Sequence, residues 1–471
     1  MLPIPQNYSI WPSVIQTDVP SEMTITPNEK AFLFKEGEEY RLTIIPVNSD
    51  EVYYYTPSTC QKIAVLGHNG ILRFSFTFED EQEYNIILEY GEAKLQIFTV
   101  FAVKEDLYPL QPLKGDLHGH SYRSDGKRDP AALAGHFREQ GYDYFALTDH
   151  NRFYPGGEID ETYEGVQLGI TRVRGEEVHV PGTVVHIVHV GGESSVADLY
   201  VHHRDTYERE VSEYATRVPQ HVPEKYRSRY ARIMWATDHI HQADGLAIFP
   251  HPYWRPGASR MYNVCDEFSH LLITSGMFDA YELVGGMKQP GVNRSIALWG
   301  ELLKEGYSFP VVGSSDVHGL ENSAEFPHLF NICFARENTN DAIMEAVKAG
   351  QIVAVEASGH EETREYRCYG SLRLVTYAQY LLTHYFPRLQ RICQGEGVAM
   401  RAYAMGDADV AVIELQVQQS RKFSDRFFGR LPAPLPSPAV LAFEDKWREK
   451  QLNGPLTKGG TIEAPPITRQ I

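Results

Sequence analysis

Two histidines separated by one residue, His118 and His120, are the pair in this chain whose types and spacing point most directly to chemistry. The surrounding pattern predicts a short strand, and side chains at positions i and i+2 of a strand point to the same side. Both imidazoles would therefore reach one ion, and histidine is the commonest metal ligand. Because the chain has 19 histidines, the pair alone also fits two ordinary polar residues that lie close by chance.

Further polar groups follow along the chain, most of them directly after a short apolar run of strand length. They are Ser124-Asp125-Gly126, Thr148-Asp149-His150-Asn151, Gly175-Glu176-Glu177-Val178, His186 after Thr183 to Val185, Pro250-His251-Pro252, and Ser314-Ser315-Asp316-Val317-His318-Gly319. Barrel enzymes keep their chemistry at the carboxyl ends of their strands. Each motif alone is more often a surface pair or a plain loop, but together and in this order they predict a metal site.

These motifs resemble those of the PHP (polymerase and histidinol phosphatase) family, and within it the CehA/McbA-type metallohydrolases. The similarity runs from about Leu113 to Ala357, with the His-x-His-Ser, Ser-Asp-Gly, Thr-Asp-His-Asn, Gly-x-Glu-Val, His-Pro and Asp-x-His elements in the family order. The resemblance implies a distorted seven-stranded (β/α) barrel that holds two or three divalent metal ions. It also implies phosphoester hydrolysis as the usual activity.

The resemblance further implies a set of metal ligands. His118, His120, Glu177 and Asp316 would hold one metal, Glu177 would bridge to a second metal that His251 also binds, and Asp125, His150, His186 and His318 would fill the remaining positions. Of these, Glu177, Asp316 and His318 are the residues expected to act in catalysis.

Two positions in this set have alternatives, and one further ligand position is open. Glu177 is preferred to Glu176 for the Gly-x-Glu spacing, and His186 to His189 for its distance from Gly191. Many family members have one more histidine between the positions of His186 and His251, and no single candidate stands out here. The histidines considered for it are His189, His202, His203, His239 and His241. The stretch around His202 and His203 is rich in Arg, Glu and Tyr, which favours a solvated helix face.

The donor types and the cysteines narrow the metal and the compartment. Carboxylates mixed with imidazoles suit Zn, Mn, Fe or Co. The five cysteines are odd in number, widely spaced and outside every motif, so we expect reduced, mostly buried thiols in a reducing compartment. The amino-terminal residues do not resemble a signal peptide, and no segment is long and apolar enough to span a bilayer. We therefore expect a cytoplasmic protein without a membrane partner.

The charge of the chain restricts its partners. With 471 residues and a net charge of −18, the protein is a poor candidate for binding nucleic acid, because Lys and Arg supply most of that affinity. A small anionic substrate remains compatible, since bound divalent ions dominate the local field. Arg123, Arg152, Arg255 and Lys288 follow or flank the ligand motifs. They are candidates for binding substrate oxygens, although each fits a solvated surface residue equally well.

Three regions differ in their patterns. Residues 1–110 contain alternating segments such as Tyr40 to Ile44 and Leu72 to Phe78, an Asn69-Gly70 turn, and a pair of strands (84–90 and 93–100) joined at Gly91. This pattern predicts a small antiparallel β-sandwich. Its expected role is to cover the barrel or shape the mouth of the site, with carbohydrate binding as an alternative.

Residues 111–360 alternate between strands and helices, which predicts an α/β fold with a mainly parallel sheet. Expected helices begin at Asp129-Pro130 and end at Gly141, cover 295–305 before Gly306, and cover 341–349 before Gly350. Residues 361–471 form the third region. Leu374, Ala378, Leu381 and Tyr385 predict a helix over 371–393, residues 431–438 predict an extended Pro-rich segment, and the tail from Asn453 is expected to be loose.

These inferences combine into a hypothesis of function. The chain is expected to be a metal-dependent hydrolase, most simply a phosphoesterase for a small phosphorylated metabolite. Two metals that share Glu177 would lower the pKa of a bridging water, so that hydroxide exists near neutral pH and no nucleophilic side chain is needed. Hydrolysis of an ester, amide, carbamate or glycosidic bond is the first alternative, and a barrel that binds a ligand without turnover is the second.

Overall fold

The computed structural model describes residues 6–49, 60–256, 261–320, 326–359 and 364–453. Over these ranges the protein is a mixed α/β structure with sheets of eight, six and five strands. Apolar segments of the chain form the strands, and the helices pack around the two smaller sheets.

The first sheet belongs to the amino-terminal region. Its strands are β1 (Tyr8–Trp11), β2 (Val14–Gln16), β3 (Pro20–Pro27), β4 (Glu39–Pro46), β5 (Gln61–His68), β6 (Ile71–Thr77), β7 (Glu83–Tyr90) and β8 (Ala93–Val103), with a 3₁₀ turn at Lys30–Phe32. The predicted hairpin between β5 and β6 is confirmed. Asn69 and Gly70 have φ angles of 52° and 75°, and a type I′ turn needs positive φ at both positions.

This region is one curled sheet in the order β1-β3-β6-β5-β4-β7-β8-β2, whereas the sequence predicts the two sheets of a sandwich. The strand β5 joins the two halves, because Gln61 to Leu66 pair with β4 while Gly67 and His68 pair with β6. Gly67 permits this crossing, since a Cβ there would lie 2.2 Å from the carbonyl oxygen of Lys35. Alternation of apolar and polar residues fits any sheet with one buried face, so the pattern predicts the strands but not the continuity of the sheet.

The remaining strands form the two smaller sheets. They are β9 (Gln111–Asp116), β10 (Tyr144–Ala146), β11 (Thr171–Val173), β12 (Gly175–His179), β13 (His186–Val190), β14 (Leu246–Phe249), β15 (Ala280–Val284), β16 (Val311–Gly313), β17 (Leu329–Ala335), β18 (Ile352–Ser358) and β19 (Glu365–Tyr369). The six-stranded sheet has the order β11-β10-β9-β17-β18-β19, and the five-stranded sheet has the order β12-β13-β14-β15-β16.

Two isolated parallel bridges connect these two sheets. His150 pairs with Glu177, which links the segment after β10 to β12, and Gly119 pairs with Val317, which links the segments after β9 and β16. Together with the pairs within each sheet, the hydrogen bonds run through β9, β10, β12, β13, β14, β15 and β16 and return to β9. The segments that carry the predicted ligands therefore meet at one end of these strands.

The sheets are less parallel than the sequence predicts. β9, β10 and β11 are parallel, as are β14, β15 and β16. β13, however, is antiparallel to both β12 and β14, and β17 is antiparallel to β9 and β18. The connection between β12 and β13 spans only residues 180–185, which is too short for the crossover that a parallel pair needs.

The helices are α1 (Pro130–Glu139), α2 (Pro155–Thr162), α3 (Ala197–His202), α4 (Arg204–Arg217), α5 (Glu224–Gln242), α6 (Asp266–Ile273), α7 (Gln289–Lys304), α8 (Asn340–Lys348), α9 (Leu372–His384), α10 (Phe386–Ala404), α11 (Val410–Phe427) and α12 (Pro438–Asn453). The three helices predicted within 111–360 are confirmed. The Asp129 side chain accepts a hydrogen bond from Ala132 N at 2.8 Å as an N-cap. Helix α7 begins six residues before its predicted start, with Pro290 in its first turn.

The carboxyl-terminal region is helical, but the helix predicted over 371–393 is broken in two. α9 ends at His384 and α10 begins at Phe386, with Tyr385 between them at φ −107° and ψ −64°. Pro387 causes the break, because it has no N–H to continue α9 and suits the first turn of α10. Residues 432–437 have no regular secondary structure. Most of the tail that we expect to be loose, residues 454–471, lies outside the described residues.

One hydrophobic core joins the three regions. It contains Trp11 and Phe101 from the amino-terminal sheet, Phe137 from α1, and Tyr377 and Leu381 from α9. A helix that packs its apolar face on this core gains far more stability from burial than from its own propensity. The carboxyl-terminal helices are therefore held by contacts with the rest of the protein.

A buried ion pair adds to this attachment. Arg138 of α1 is 2% exposed, and its Nε donates to Glu396 Oε2 of α10 at 2.7 Å. Glu396 is 0% exposed and also accepts a hydrogen bond from Gly169 N at 2.6 Å. Asp143 and the carbonyl of Tyr142 accept from the same guanidinium at 3.2 and 3.0 Å. Every charge in this group thus has a partner in the interior.

Two further expectations concern the burial of the cysteine thiols and the lack of a membrane-spanning segment. Cys60, Cys265, Cys333, Cys368 and Cys393 are all free thiols. Cys333 and Cys393 are buried, but Cys60 and Cys368 are partly exposed and Cys265 is exposed, so the expectation of mostly buried thiols is wrong. The Sγ of Cys265 lies 3.2 Å from the hydroxyl of Tyr226. In the ranges that the structure describes, none of the helices has both the length and the apolar character needed to cross a bilayer.

We predict that Glu396→Gln lowers the free energy of unfolding by about 3–5 kcal/mol, because it leaves the buried Arg138 guanidinium without its charge partner. Urea denaturation followed by circular dichroism measures the change. The matched control is Glu267→Gln, which breaks an exposed pair with Lys225 and should cost less than about 1 kcal/mol. Equal, small losses in both variants would contradict a structural role for the Arg138 pair.

Candidate metal centre

The predicted ligands lie after the ends of strands, within a strand, or at the start of a strand. His118 and His120 follow β9, His150 follows β10, and His251 and Asp316 follow β14 and β16. Glu177 lies inside β12, and His186 is the first residue of β13. Because β13 is antiparallel, its amino end lies at the edge where the parallel strands have their carboxyl ends. The residues before it, 183–185, are therefore a connection and not the strand that the sequence suggests.

Glu177 is the centre of the group. Its side chain is fully buried, and six imidazoles surround its carboxylate. Oε2 lies 2.8 Å from His150 Nδ1, 3.4 Å from His118 Nε2, 3.4 Å from His120 Nε2 and 3.6 Å from His179 Nε2, while Oε1 lies 2.8 Å from His186 Nδ1 and 3.2 Å from His251 Nε2. A buried carboxylate with this many nitrogen neighbours requires positive charge between them.

Asp316 closes the group on one side. Its Oδ1 lies 2.9 Å from His120 Nε2 and 3.3 Å from His118 Nε2. The backbone of Asp316 has a φ of 51°, in a region that costs most residues about 1–3 kcal/mol. Gly286 permits the close approach, because a Cβ there would lie 2.1 Å from Asp316 Oδ2. His251 also has a positive φ, 25°, so two of the converging residues sit in uncommon backbone conformations.

Asp125 marks the open side of the cluster. Its side chain is 53% exposed, and its oxygens lie 3.3 Å from His150 Nε2, 3.3 Å from His318 Nε2 and 4.0 Å from His120 Nδ1. The ring of His120 is stacked between those of His150 and His318, with centroid separations of 4.4 and 4.3 Å. The cluster is thus buried at Glu177 and reaches solvent at Asp125.

Many polar atoms in the cluster lack hydrogen-bond partners, which tests whether metal ions fit here. Among the described residues, the buried unpartnered atoms of the cluster are His118 Nε2, both nitrogens of His120, His150 Nδ1, His179 Nε2, His186 Nδ1, His251 Nδ1, Glu177 Oε2 and Asp316 Oδ1. Leaving one such atom unsatisfied costs about 1–3 kcal/mol. Five overlapping groups of these residues have ligand atoms within 4.8 Å of one another, so divalent cations would satisfy them together.

A second layer of carboxylates holds the cluster in place. Glu282, fully buried on β15, has Oε2 at 3.0 Å from His118 Nδ1 and accepts a hydrogen bond from His251 N at 3.2 Å. With Nδ1 donating to Glu282, Nε2 of His118 faces Glu177 and Asp316. This carboxylate–histidine arrangement is the usual support of a metal-binding imidazole.

Two aspartates position the loops that carry the histidines. Asp116 accepts hydrogen bonds from the backbone N–H groups of His118 and Ser315, each at 3.1 Å, and so ties the loop after β9 to the loop after β16. Asp149 accepts from the Ser121 and Ser124 hydroxyls at 2.6 Å. Burial raises the pKa of Asp116 to about 7, although its hydrogen bonds with Ser315 and His118 oppose the shift.

Burial lowers the pKa values of some histidines in the cluster, and neighbouring carboxylates raise those of others. Burial lowers the pKa of His186 to about 4. Burial also opposes protonation of His150, but the nearby carboxylates of Asp125 and Glu177 outweigh it and raise its pKa to about 10. At Glu177, burial opposes ionisation, yet the charge of His118 and the neighbouring imidazoles hold its pKa well below the usual range. The carboxylates therefore attract cations, and protons compete with metal ions for the same lone pairs.

All nine predicted ligands lie in this cluster, but their roles as ligands remain predictions. The residues placed together are His118, His120, Asp125, His150, Glu177, His186, His251, Asp316 and His318. Glu176 is directed elsewhere: it accepts from Val196 N at 2.6 Å and Ser195 Oγ at 2.8 Å.

The five histidines considered for one further position have other partners or surroundings. His189 Nδ1 lies 3.3 Å from Glu176, His239 Nδ1 lies 2.7 Å from the carbonyl of Trp235, and His241 Nε2 lies 2.8 Å from Asp279. The side chain of His202 is 66% exposed on α3, and His203 is exposed between α3 and α4. The additional histidine of the cluster is His179, which lies before His186 in the chain and outside the predicted interval.

The four basic residues predicted to bind substrate are in differing environments. Arg123 Nε donates to Glu158 at 2.8 Å, and Arg255 donates to the hydroxyl of Tyr262 at 3.0 Å. Arg152 and Lys288 are exposed, and within the described parts of the chain neither forms an ion pair. Among the described residues, none of the four side chains forms an ion pair with a carboxylate of the histidine cluster.

Three residues at the site have no sequence prediction. His179 and Trp254 carry no motif, and the Trp254 ring lies 5.8 Å from that of His186 and 6.2 Å from that of His251. Glu282 could have been found, because it is the only charged residue in the apolar run 280–284. A charge in a fully buried strand is rare unless it has a partner.

Comparison with known proteins gives limited similarity. No family model and no curated protein matches the chain. Among solved structures, the chain is similar to a two-domain protein of Bacteroides vulgatus that contains a predicted PHP-like metal-dependent phosphoesterase. The identity is 19% and the TM-score 0.36, over 53% of this chain and 66% of that chain, which is just under two thirds of its length.

Two further structures show similarity of the same order. One is a provisionally assigned metal-dependent phosphoesterase of Bifidobacterium adolescentis, with 19% identity, a TM-score of 0.35, and coverage of 50% of this chain and 96% of that chain. The other is an amidohydrolase of Chromobacterium violaceum with bound sulfate and no metal, with 17% identity, a TM-score of 0.30, and coverage of 45% and 89%. Because these identities and TM-scores are low, the activities of the similar proteins are not assigned to this chain. Its function is inferred from the geometry of the site itself.

We predict that Glu282→Gln weakens metal binding by about 10- to 100-fold, the usual effect of removing a carboxylate that supports a ligand histidine. Isothermal titration of chelator-treated protein with Zn²⁺ or Mn²⁺ measures the affinity. Glu305→Gln, which removes an exposed partner of His270, is the matched control and should bind the metal normally. Unchanged affinity in the Glu282 variant would show that this carboxylate does not support the site.

We also predict that metal binding releases protons at pH 7. Because the pKa of His150 is raised to about 10, this imidazole carries a proton at neutral pH that a metal ion must displace. Apparent affinity should therefore rise as the pH increases from 7 towards 10. Titration calorimetry in buffers of different ionisation enthalpy counts the released protons, and a binding enthalpy that is the same in all buffers would contradict this protonation state.

Proposed function

We propose that this protein is a metal-dependent phosphoesterase that acts on a small phosphorylated metabolite, with two or three divalent ions bound at the Glu177 cluster. The observation that carries the proposal is the convergence of six imidazoles on one buried carboxylate, with cluster atoms that have no other partner among the described residues. Mixed imidazole and carboxylate donors suit Zn, Mn or Fe. The seven strands linked through the two bridges support a distorted barrel as the frame of the site.

The overlapping groups of donors support the following assignment. His118, His120, Glu177 and Asp316 would hold one ion, Glu177, His186 and His251 a second, and His120, Asp125, His150 and His318 a third, with His179 adding to the donors around Glu177. Divalent ions bound here would lower the pKa of a water molecule and neutralise negative charge on substrate oxygens. The chain therefore needs no nucleophilic side chain of its own, and its task is to position donors and move protons.

The exposed edge of the cluster supports a direction of substrate entry. The side chains of His150, His179, His318 and Asp125 are 23, 30, 38 and 53% exposed, whereas those of His118, His120 and Glu177 are fully buried. A phosphoryl group would approach from the Asp125 side. Trp254, partly exposed beside His186, offers a ring surface for the rest of the substrate.

We propose that His318 donates the proton to the leaving group when two ions are bound, because a third ion would occupy the same Nε2 position. Its Nδ1 lies 2.8 Å from the backbone carbonyl of Asp316, which accepts the Nδ1 hydrogen and fixes the ring. Its Nε2 then faces Asp125 at 3.3 Å on the open side. Burial opposes protonation, but the hydrogen bond with Asp125 and the charge of Asp316 raise the pKa of His318. A charged imidazole at the mouth of the site is suited to donate a proton.

The four basic residues predicted to bind substrate differ in how strongly they interact with the rest of the protein. Arg123 is engaged with Glu158 and stacked on Tyr122, and Arg255 is stacked on Tyr262. Arg152 and Lys288 have no ionic partner within the described ranges and are exposed. We propose these two as the residues that attract the anionic substrate, which fits their weaker structural engagement.

We predict that the purified protein carries divalent metal and hydrolyses a simple phosphomonoester, and that Asp316→Ala lowers turnover to background because it removes a carboxylate of the cluster. Elemental analysis and a phosphate-release assay measure the two properties, and circular dichroism checks that the variant is folded. His202→Ala is the matched control, since it removes an exposed imidazole on α3 and should keep full activity. Full turnover after complete removal of metal would refute the proposal.

A substrate panel separates the phosphoesterase from its alternatives. Phosphorylated sugars, nucleotides and cyclic phosphates form one set, and carboxylic esters, amides, carbamates and glycosides form the other. Turnover of the first set alone is expected. Turnover of the second set alone would keep the metal-dependent hydrolase but overturn the choice of phosphoester, and tight binding of a compound without turnover of either set would favour a ligand-binding module.

A further inference from the structure

A second polar cavity lies apart from the histidine cluster, between the six-stranded sheet and helices α9 and α10. It has a volume of about 210 Å³, and its polar lining includes Lys114, Gln140, Arg364, Gln390, Arg391 and Gln394. None of these residues belongs to the proposed metal centre. Lys114 lies in the middle of β9, whereas the His118 pair follows the end of that strand.

The floor of the cavity is a buried ammonium group. Lys114 is 6% exposed, and its Nζ donates to the carbonyl of Gln140 at 2.9 Å and lies 4.3 and 4.6 Å from the ring centres of Tyr142 and Phe330. Lys is almost never this buried without a charged partner. Burial, and after it the positive charge of Arg364, lower the pKa of Lys114 to about 7.

Arg364 adds a second positive charge to the lining of the cavity, near the ammonium group of Lys114. Its Nε is buried and has no hydrogen-bond partner among the described residues. Arg391, exposed on α10, adds a third charge at the rim. Two or three guanidinium and ammonium groups around one cavity repel each other unless an anion lies between them.

Two acidic residues near the cavity, among those that the structure describes, already have basic or backbone partners. Glu139, which also lines it, accepts from Arg401 at 2.6 Å. Asp143 accepts from the backbone N–H of Lys114 at 3.0 Å and from Arg138 at 3.2 Å. Within the part of the chain that the structure describes, no acidic side chain is paired with Lys114, Arg364 or Arg391. The described lining of the cavity thus carries three basic side chains and one acidic side chain, in a chain whose net charge is −18.

We propose that this cavity is a second site, independent of the metal centre, that binds a small dianion of the phosphate class between Lys114, Arg364 and Arg391. An arginine fork donates two parallel hydrogen bonds to such an oxyanion, and the ammonium group adds a point charge. The glutamines supply further donors. A volume of about 210 Å³ accommodates a phosphate group with a few waters but not a drug-sized ligand, for which pockets are about 300–1,000 Å³.

Crystals of the full-length protein grown with selenate test the location directly. The anomalous signal of selenium should show a peak between Lys114 and Arg364, in addition to any peak at the histidine cluster. A structure in which selenate occupies only the cluster, or only the protein surface, would overturn the proposal.

Calorimetric titration of the metal-loaded protein with inorganic phosphate tests the affinity. Arg364→Gln and Arg391→Gln should each weaken phosphate binding at the cavity by about tenfold or more, because each removes charged hydrogen bonds to the ion. The metal content and the phosphomonoester turnover of both variants should stay unchanged. Lys422→Gln on α11 removes an exposed positive charge outside the cavity and is the matched control. Unchanged phosphate binding in both arginine variants would overturn the proposal.

The two sources of a phosphate dianion are separated by titrating glycerol phosphate in parallel with inorganic phosphate. Tighter binding of inorganic phosphate identifies the free ion as the ligand, and tighter binding of glycerol phosphate identifies the phosphoryl end of a metabolite. Arg391→Gln is a surface substitution, so it keeps the test intact if Lys114→Met or Arg364→Gln fails to fold. Loss of metal binding in the Asp316→Ala variant would leave this site unaffected, which separates it from the proposed function.

Discussion

The structure depends on one interaction, the burial of the Glu177 carboxylate among six imidazoles. A negative charge in the interior is tolerated only when positive charge compensates it. Here the compensation comes from nitrogens whose own hydrogen bonds are incomplete in the described part of the protein. Protons supply it in part, as the raised pKa values of His118 and His150 show, and divalent ions would supply it more completely.

The frame around Glu177 follows from this requirement. Donors from separate strands reach one point only if the strand ends meet, and two isolated bridges, His150 with Glu177 and Gly119 with Val317, bring those ends together. Asp116 and Glu282 then hold the backbone and the ring of His118 from behind. Carboxylates in the second layer thus position the imidazoles of the first, which leaves their outward nitrogens free for a cation.

The outer regions support this frame by packing. The amino-terminal sheet and the carboxyl-terminal helices share one apolar core with α1, and the buried pair of Arg138 and Glu396 joins α1 to α10. The same packing of α9 and α10 on the six-stranded sheet encloses the cationic cavity at Lys114. An attachment that stabilises the fold therefore also creates the second proposed site, where positive charges gather within an acidic chain.

Local patterns in the chain were enough to predict many elements. The helix that starts at Asp129-Pro130, the Asn69-Gly70 hairpin and the strands that precede His118, His150 and His251 depend on neighbouring residues, whose propensities and turn chemistry act over a few positions. The resemblance of the polar motifs to those of the PHP family was likewise enough to propose which nine residues share a site. Their proximity in the structure agrees with that proposal, although ligand binding itself remains a prediction.

Other features depend on contacts between residues that are distant in the chain, and no local pattern encodes them. The direction of β13 places His186 at the start of its strand, and the joining of the amino-terminal strands into one sheet depends on the crossing at Gly67. The break at Pro387 differs from these, because it is a local effect of the proline that the apolar spacing alone does not reveal. His179 joins the cluster from a position without a motif, and the charge of Glu282 in an apolar run predicts a partner but not which residue it is. Burial and electrostatic compensation act between whole elements, so these features arise only when the folded chain brings its strands and loops together.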